Sequence, residues 1–335
     1  MKIFSKDTKK DLIFIAEIGV NHEGDIIRAK KMISLAAKAG ADAVKFQSYS
    51  TDRFVSVEDN ERKKRVNAFN LKDQSLKLLS NYAKKKKIHI FSSAITEDKI
   101  DLLKKKFDVI KIASGDIDFK PTLIKAAKSS KKIILSTGCS DISDIQKALT
   151  IFRKYSKTKN IKNRLILMHC VSLYPTNIEL ANIKSIQYIK DHTGLEVGYS
   201  NHVKEPEAIY AAVANGANLI ELHFTDNKKR KFRDNHLSFT SVELQKIIKI
   251  SEKIKISLGQ YNKKINKYEK SIKQSIRKGL AASKNLRKNH IISKKDIMFT
   301  RNANYYSSND LNKILGKKLK KPILYNQVFK HDNFK

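Results

Sequence analysis

The sequence predicts an α/β fold, a (β/α)8 TIM barrel followed by a small C-terminal domain. Three observations carry this. Short apolar, β-branched runs alternate with longer helical patterns eight times. Those eight units fill about 250 residues, the usual length of such a barrel. Beyond them the chain turns polar and lysine-rich over 258–276, then resumes as short strand-like pieces.

The expected strands are 13–19 (IFIAEIG), 43–47 (AVKFQ), 89–94 (HIFSSA), 109–114 (VIKIAS), 132–138 (KIILSTG), 165–170 (LILMHC), 195–201 (LEVGYSN) and 218–224 (NLIELHF). The expected helices lie near 25–39, 72–86, 97–106, 121–130, 141–156, 181–192, 205–215 and 240–257. Gly40 and Gly194 stand at helix ends, and Pro121 and Pro206 stand near helix starts. The domain reading is a catalytic barrel at 1–260, a linker at 261–276 and a second compact domain at 277–335. About 60 residues is marginal for an independent fold. The pieces KGLAAS, IMFTR and PILYN are its strand candidates.

Composition narrows the function classes. The 335 residues are 41% hydrophobic, enough for a sizeable core, and no apolar run reaches membrane-spanning length. The opening Met1-Lys2-Ile3-Phe4-Ser5-Lys6 lacks the apolar stretch of a signal peptide. Two cysteines, Cys139 and Cys170, make no disulfide framework and read as packing residues. Together these features place the expected location in the cytoplasm. Lys and Arg outnumber Asp and Glu by 69 to 33, a net charge of +36. Nucleic-acid binding is one reading of that charge. Against it, the lysines run the whole length on polar helix faces, as in Leu102-Leu103-Lys104-Lys105-Lys106, and tryptophan is absent. The field still concentrates anionic substrates.

Alternate strand residues point into a barrel, and active sites form at the C-terminal strand ends. On that parity Glu221 and His223 of the eighth strand face inward, as do Lys45 and Gln47 of the second and Lys111 of the fourth. Glu17 lies on the first strand, which leads to Asn21-His22. Ser114 and Asp116 follow the fourth strand, Ser136-Thr137-Gly138 ends the fifth, and Ser200-Asn201-His202 ends the seventh. Burying polar groups without partners is costly, so their recurrence at strand ends marks a site. His202 and His223 sit on neighbouring strands about 4.8 Å apart. They are candidates to hold one divalent ion, leaving positions open for water and a substrate oxygen. Lys45 and Lys111, with Ser93, Ser114 and Ser136, suit a phosphate and a carboxylate. A Schiff base on Lys45 or Lys111 is the alternative chemistry. His169 reads as structural rather than as a ligand.

These residues fall in motifs that resemble the sialic-acid synthase family, the bacterial N-acetylneuraminate synthases and their legionaminic- and pseudaminic-acid relatives. The motifs are Ala16-Glu17-Ile18-Gly19-Val20-Asn21-His22-Glu23-Gly24, Ala41 to Gln47 (ADAVKFQ), Ile110 to Asp116 (IKIASGD), Leu135-Ser136-Thr137-Gly138, His169-Cys170 with Tyr174-Pro175-Thr176, Gly198 to His202 (GYSNH) and His223-Phe224-Thr225. The resemblance covers nearly the whole chain in order. It identifies 277–335 with the antifreeze-like (SAF) domain.

The resemblance implies condensation of phosphoenolpyruvate with an amino-sugar aldehyde and water, giving a nonulosonic acid and phosphate. It implies Mn2+ or Mg2+ on His202 and His223, and phosphoenolpyruvate held by Lys45, Ser93, Lys111, Ser114, Ser136, Ser172 and Ser200. Glu17 is then the proton-transfer candidate, with Gln47, Asp116, Tyr174 and Asp234 along the sugar pocket. Arg301 is offered to the N-acetyl group from the partner subunit of a domain-swapped homodimer. Several positions depart from the usual pattern: Asn201 for aspartate, Ser172 for asparagine, Asp116 for glutamate, Phe232-Arg233-Asp234-Asn235 for a Pro-Gly-Pro-Asp-His stretch, and Arg301-Asn302-Ala303-Asn304 without Pro-Gly. Most lie on the sugar side, so the sugar's identity stays open.

Overall fold

The computed structural model describes residues 1–158 and 160–335. The chain divides into two compact units, Met1–Gly259 and Gln260–Lys335. The first opens with a small hairpin, β1 (Lys2–Ile3) and β2 (Lys6–Asp7). Eight parallel strands follow and close into a barrel: β3 (Ile13–Gly19), β4 (Ala43–Ser48), β5 (His89–Ala94), β6 (Val109–Ile112), β7 (Lys132–Ser136), β8 (Leu165–His169), β9 (Val197–Asn201) and β10 (Leu219–His223). The last strand pairs with the first, His223 opposite Glu17, so no edge is left open.

Helices α1 (Ile26–Ala39), α2 (Thr51–Phe54), α3 (Asn60–Ala68), α4 (Asp73–Lys85), α5 (Lys99–Lys106), α6 (Lys120–Lys128), α7 (Ile142–Tyr155), α8 (Ser185–Thr193), α9 (Glu207–Ala214) and α10 (Ser241–Leu258) connect the strands or follow the last. Their boundaries follow local chemistry. Asp25 accepts from the backbone of Ile27 and Arg28 at the start of α1, and Gly40 closes it at φ 92°. Asp141 with Asp144, and Thr240 with Glu243, form capping boxes on α7 and α10. Apolar residues from both strand faces and the inner helix faces make one continuous core. At Gly198 that core leaves no room for a side chain: an added Cβ would lie 2.5 Å from the Leu219 carbonyl oxygen of β10.

The hairpin and the paired helices α2 and α3 lie outside the expected elements. The latter occupy 49–72, a gap between β4 and α4 too long for an ordinary βα loop. Their sequence is charged and barely amphipathic, with Val66 alone buried on α3.

In the second unit, β11 (Lys278–Ala282) pairs antiparallel with β12 (Ile297–Arg301). A separate core surrounds them, built on Leu280, Leu286, Ile292, Ile314, Leu319, Ile323 and Phe329. The PILYN piece contributes one isolated bridge, Ile323 to Leu286, instead of a strand. The stretch read as a linker contains a helix, α11 (Lys267–Ile276), capped by Asn266 and Glu269. Tyr268, Ile272 and Ile276 form its apolar i, i+4, i+8 stripe, which the many surrounding lysines mask in the sequence.

Candidate active site

The barrel opens at its C-terminal strand ends into a cavity of about 850 Å3. Strand parity and register decide what lines it. Glu17 pairs in register with Lys45, Gln47 with Ser93, Ser93 with Lys111, and Ser200 with Glu221. All point inward and line the cavity, together with Ser114, Asp116, Ser136, Ser172, Tyr174, His202, His223 and Asp234. Arg301 belongs to the second unit, where it is exposed at the end of β12.

The floor is a buried ionic cluster. Lys111, 1% exposed, donates to both carboxylate oxygens of Glu221 at 3.0 and 2.9 Å. Ser200 Oγ donates to the same group at 2.9 Å, and Lys45 Nζ approaches it at 3.1 Å. Lys45 also reaches Glu17 at 3.4 Å and the Ser93 hydroxyl at 3.3 Å. Gln47 donates to Glu17 Oε1 at 3.3 Å, while Glu17 Oε2 is buried without a partner.

The two carboxylates respond oppositely to the same burial. Burial pushes the Glu221 carboxyl up, but Lys111 and Lys45 outweigh it and hold it well below the usual carboxylate range. Burial dominates at Glu17 and raises it to about 7, against the pull of Lys45. Burial lowers Lys45, yet Glu17 and Glu221 more than compensate and hold it above the ordinary lysine value. Lys111 falls below that value through burial. Two ammonium groups against one firmly ionised carboxylate leave a local charge of +1, with Glu17 adjustable near neutrality.

One wall is a small-residue pocket. The Gly138 N–H donates to Ser114 Oγ at 3.0 Å, and Ser114 Oγ lies 3.2 Å from Cys170 Sγ. A Cβ on Gly138 would fall 2.2 Å from Ser172 Oγ and 2.9 Å from Ser114 Oγ. Glycine is therefore required for the hydroxyls to converge. Two residues beyond Ser114, Asp116 is raised to about 6 by burial and by Asp118.

His202 and His223 stand with ring centroids 5.5 Å apart. Nδ1 of His202 lies 2.6 Å from the Val171 carbonyl oxygen, which accepts only, so Nδ1 carries the proton and Nε2 keeps its lone pair. Nδ1 of His223 is buried with no hydrogen-bond partner and faces Asp234 at 3.8 Å. Burial holds His202 down to about 4 and His223 to about 3, so both rings are neutral at pH 7. Neutral imidazoles with free lone pairs are the donors a divalent ion takes. Among the described residues no third His, Cys, Asp or Glu completes a protein-only metal cage. Two ligands suit an ion whose remaining positions go to substrate and water. Tyr174 packs on both rings, at 4.1 Å from His202 and 5.8 Å from His223.

His169 and His22 belong to the scaffold. His169 Nε2 bonds the Ala181 carbonyl at 2.8 Å, and His22 Nδ1 accepts from the Gly24 N–H at 3.0 Å. Asn21 ties the end of β3 to the Phe224 carbonyl and to Ser238. Asn201 bonds Tyr199 and the Val203 carbonyl, and so holds the end of β9.

Comparison with known proteins bears on the whole chain. Residues 32–263 match the model of the NeuB family. The chain belongs to the NeuB family. It is 37% identical to N,N'-diacetyllegionaminic acid synthase of Campylobacter jejuni, over 92% of this chain and 96% of that one. It is 30% identical to a pseudaminic acid synthase of the same species, over 100% of both. Among solved structures, the N-acetylneuraminic acid synthetase of Leptospira borgpetersenii, crystallised with citrate, superposes with a TM-score of 0.73 at 35% identity, covering 78% of this chain and 90% of that one.

Two groups of cavity residues had no role assigned from sequence. Glu221 was visible as an inward residue, but its part in the ionic floor was not, because that depends on side chains from β4, β6 and β9 converging on it. Arg53, Phe54, Arg62, Val66 and Phe69 of the α2–α3 insertion and Arg233 also line this NeuB-family cavity. The length of the 49–72 gap was the one available signal for the first five.

Proposed function

We propose that this chain is a nonulosonic acid synthase, joining phosphoenolpyruvate to an N-acetylated amino-sugar aldehyde with water to release phosphate. The observation that carries the reading is the cavity floor: two buried lysines, hydroxyls and a net positive charge beside two neutral histidines. N-acetylmannosamine and 2,4-diacetamido hexoses are the acceptor class.

Lys45 and Lys111 hold the phosphate and carboxylate of phosphoenolpyruvate as point charges, and Ser93, Ser114, Ser136, Ser172 and Ser200 donate hydrogen bonds. The Gly138 pocket fixes the angle of two of those hydroxyls. Gln47, Asp116, Tyr174 and Asp234 face the acceptor. C3 of phosphoenolpyruvate forms the new bond to the aldehyde carbon, water adds at C2, and phosphate leaves by C–O cleavage. Glu17 exchanges the proton this requires, since a carboxyl near 7 donates and accepts with equal ease at neutral pH. His202 and His223 would hold the Mn2+ or Mg2+, which supplies polarisation of the aldehyde oxygen when bound.

The protein acts as a homodimer in which Arg301 reaches the N-acetyl group of the sugar bound by the partner protomer. The site is cytoplasmic in this reading; among the described residues no helix is long and apolar enough to cross a membrane.

The test is phosphate release from phosphoenolpyruvate with Mn2+ across a panel of N-acetylated hexoses, with and without chelator. Release that needs both an acceptor and the metal supports the synthase. A covalent adduct trapped by borohydride with a keto-acid, indifferent to chelator, would replace it with a Schiff-base aldolase on Lys45 or Lys111.

A further inference from the structure

A second cavity, of about 890 Å3, lies at the opposite end of the barrel, against the starts of β5, β6 and β7 and the N-terminal hairpin. Its volume is in the range of ligand sites. Six lysines line it: Lys2, Lys84, Lys87, Lys106, Lys131 and Lys132. One carboxylate, Asp108, lines it too, and bonds Lys131 at 3.1 Å. The bland account is that lysines near helix C-termini offset the helix dipoles. Three helices, α4, α5 and α6, end here, each contributing about half a negative charge. Six positive charges, less Asp108 and about 1.5 from the dipoles, leave roughly +3.5. The lysines therefore exceed what the helix ends require.

Phe4 and Ser5, the two-residue turn of the hairpin, and Lys87 and Ser130, which follow the ends of α4 and α6, line it in the positive-φ conformation that such turns and helix ends take. Phe4 is held by packing 5.1 Å from Phe91 and 5.3 Å from His89. Phe4 and His89 line the cavity beside its lysines.

We infer that this cavity is a binding site for a small molecule carrying a di- or triphosphate, separate from the catalytic mouth. Its concavity favours a compact ligand over a nucleic-acid backbone, which would track an open basic groove.

The probe is inorganic tripolyphosphate, titrated calorimetrically into the full chain at fixed salt. The expected result is saturable binding that weakens by about a thousandfold or more in the triple variant Lys84→Glu, Lys87→Glu, Lys106→Glu, since each lost charge-assisted contact lowers affinity by about tenfold. Phosphate release from phosphoenolpyruvate without the probe should be unchanged, as these residues lie away from the catalytic cavity. Equal titrations of wild type and variant overturn the inference. So does binding to long RNA but not to tripolyphosphate. If the variant does not fold, lysine acetylation of the wild type decides: tripolyphosphate must protect Lys84, Lys87 and Lys106 over other surface lysines, and uniform labelling overturns the site.

Discussion

Replacing Glu221 by Gln removes the anion on which the cavity floor is organised. In the wild type it accepts both Lys111 contacts, the Ser200 hydroxyl and the approach of Lys45. The amide keeps the shape but loses the charge, and its NH2 group turns a donor toward an ammonium. Lys111 and Lys45 are 1% and 5% exposed, so water cannot take over. Removing one partner of a buried pair costs about 3–5 kcal/mol, because the other charge stays buried without compensation. Glu17 offsets part of this by ionising, which sets the expectation at the low end, about 3 kcal/mol. Urea unfolding of the two proteins measures it. A second arm sharpens the result. With Glu221 gone the floor carries a larger positive charge, so phosphoenolpyruvate should protect the variant more than the wild type. An unchanged urea midpoint, or equal protection of the two proteins, would refute the account of the floor as an anion-receiving cluster held by Glu221.

Variants at three further positions test the site. Gly138→Ala pushes a methyl into the space of Ser172 Oγ and Ser114 Oγ; steady-state kinetics should show the phosphoenolpyruvate KM rising about tenfold, the effect of one lost hydrogen bond, with the sugar KM nearly unchanged. Glu17 should leave a limb near pH 7 in the kcat/KM profile that Glu17→Gln abolishes. Because its folded pKa lies above its ordinary 4.5, Glu17 keeps its proton longer folded than unfolded, so its contribution to stability falls as pH rises from about 4.5 to 7; pH-dependent melting of wild type and Glu17→Gln checks the sign. His223→Ala should abolish turnover while leaving the far-ultraviolet circular dichroism spectrum intact, and Mn2+ titration followed by electron paramagnetic resonance should show weakened binding.

The sequence by itself determined the barrel, because each strand is a short apolar run and the helices between them carry start and stop signals such as Asp25 and Gly40 on α1 and the capping boxes of α7 and α10. It also marked Glu17, Lys45, Lys111, Ser200, His202 and His223, since polar residues at late strand positions stand out against that apolar background and parity says which way they point. Tertiary structure decided the rest. Two buried carboxylates of the same chemical type, Glu17 and Glu221, part in opposite directions because one is chelated by Lys111 and the other is only grazed by Lys45, and those distances depend on three strands at once. The α2–α3 insertion is not legible in the sequence because its fold rests on contacts with the barrel mouth rather than on an amphipathic pattern. The helix at Lys267–Ile276 hid among lysines. The basic cavity beneath the barrel lay furthest from view: its six lysines span positions 2 to 132, and only closure of the sheet and the ends of three successive helices bring them together.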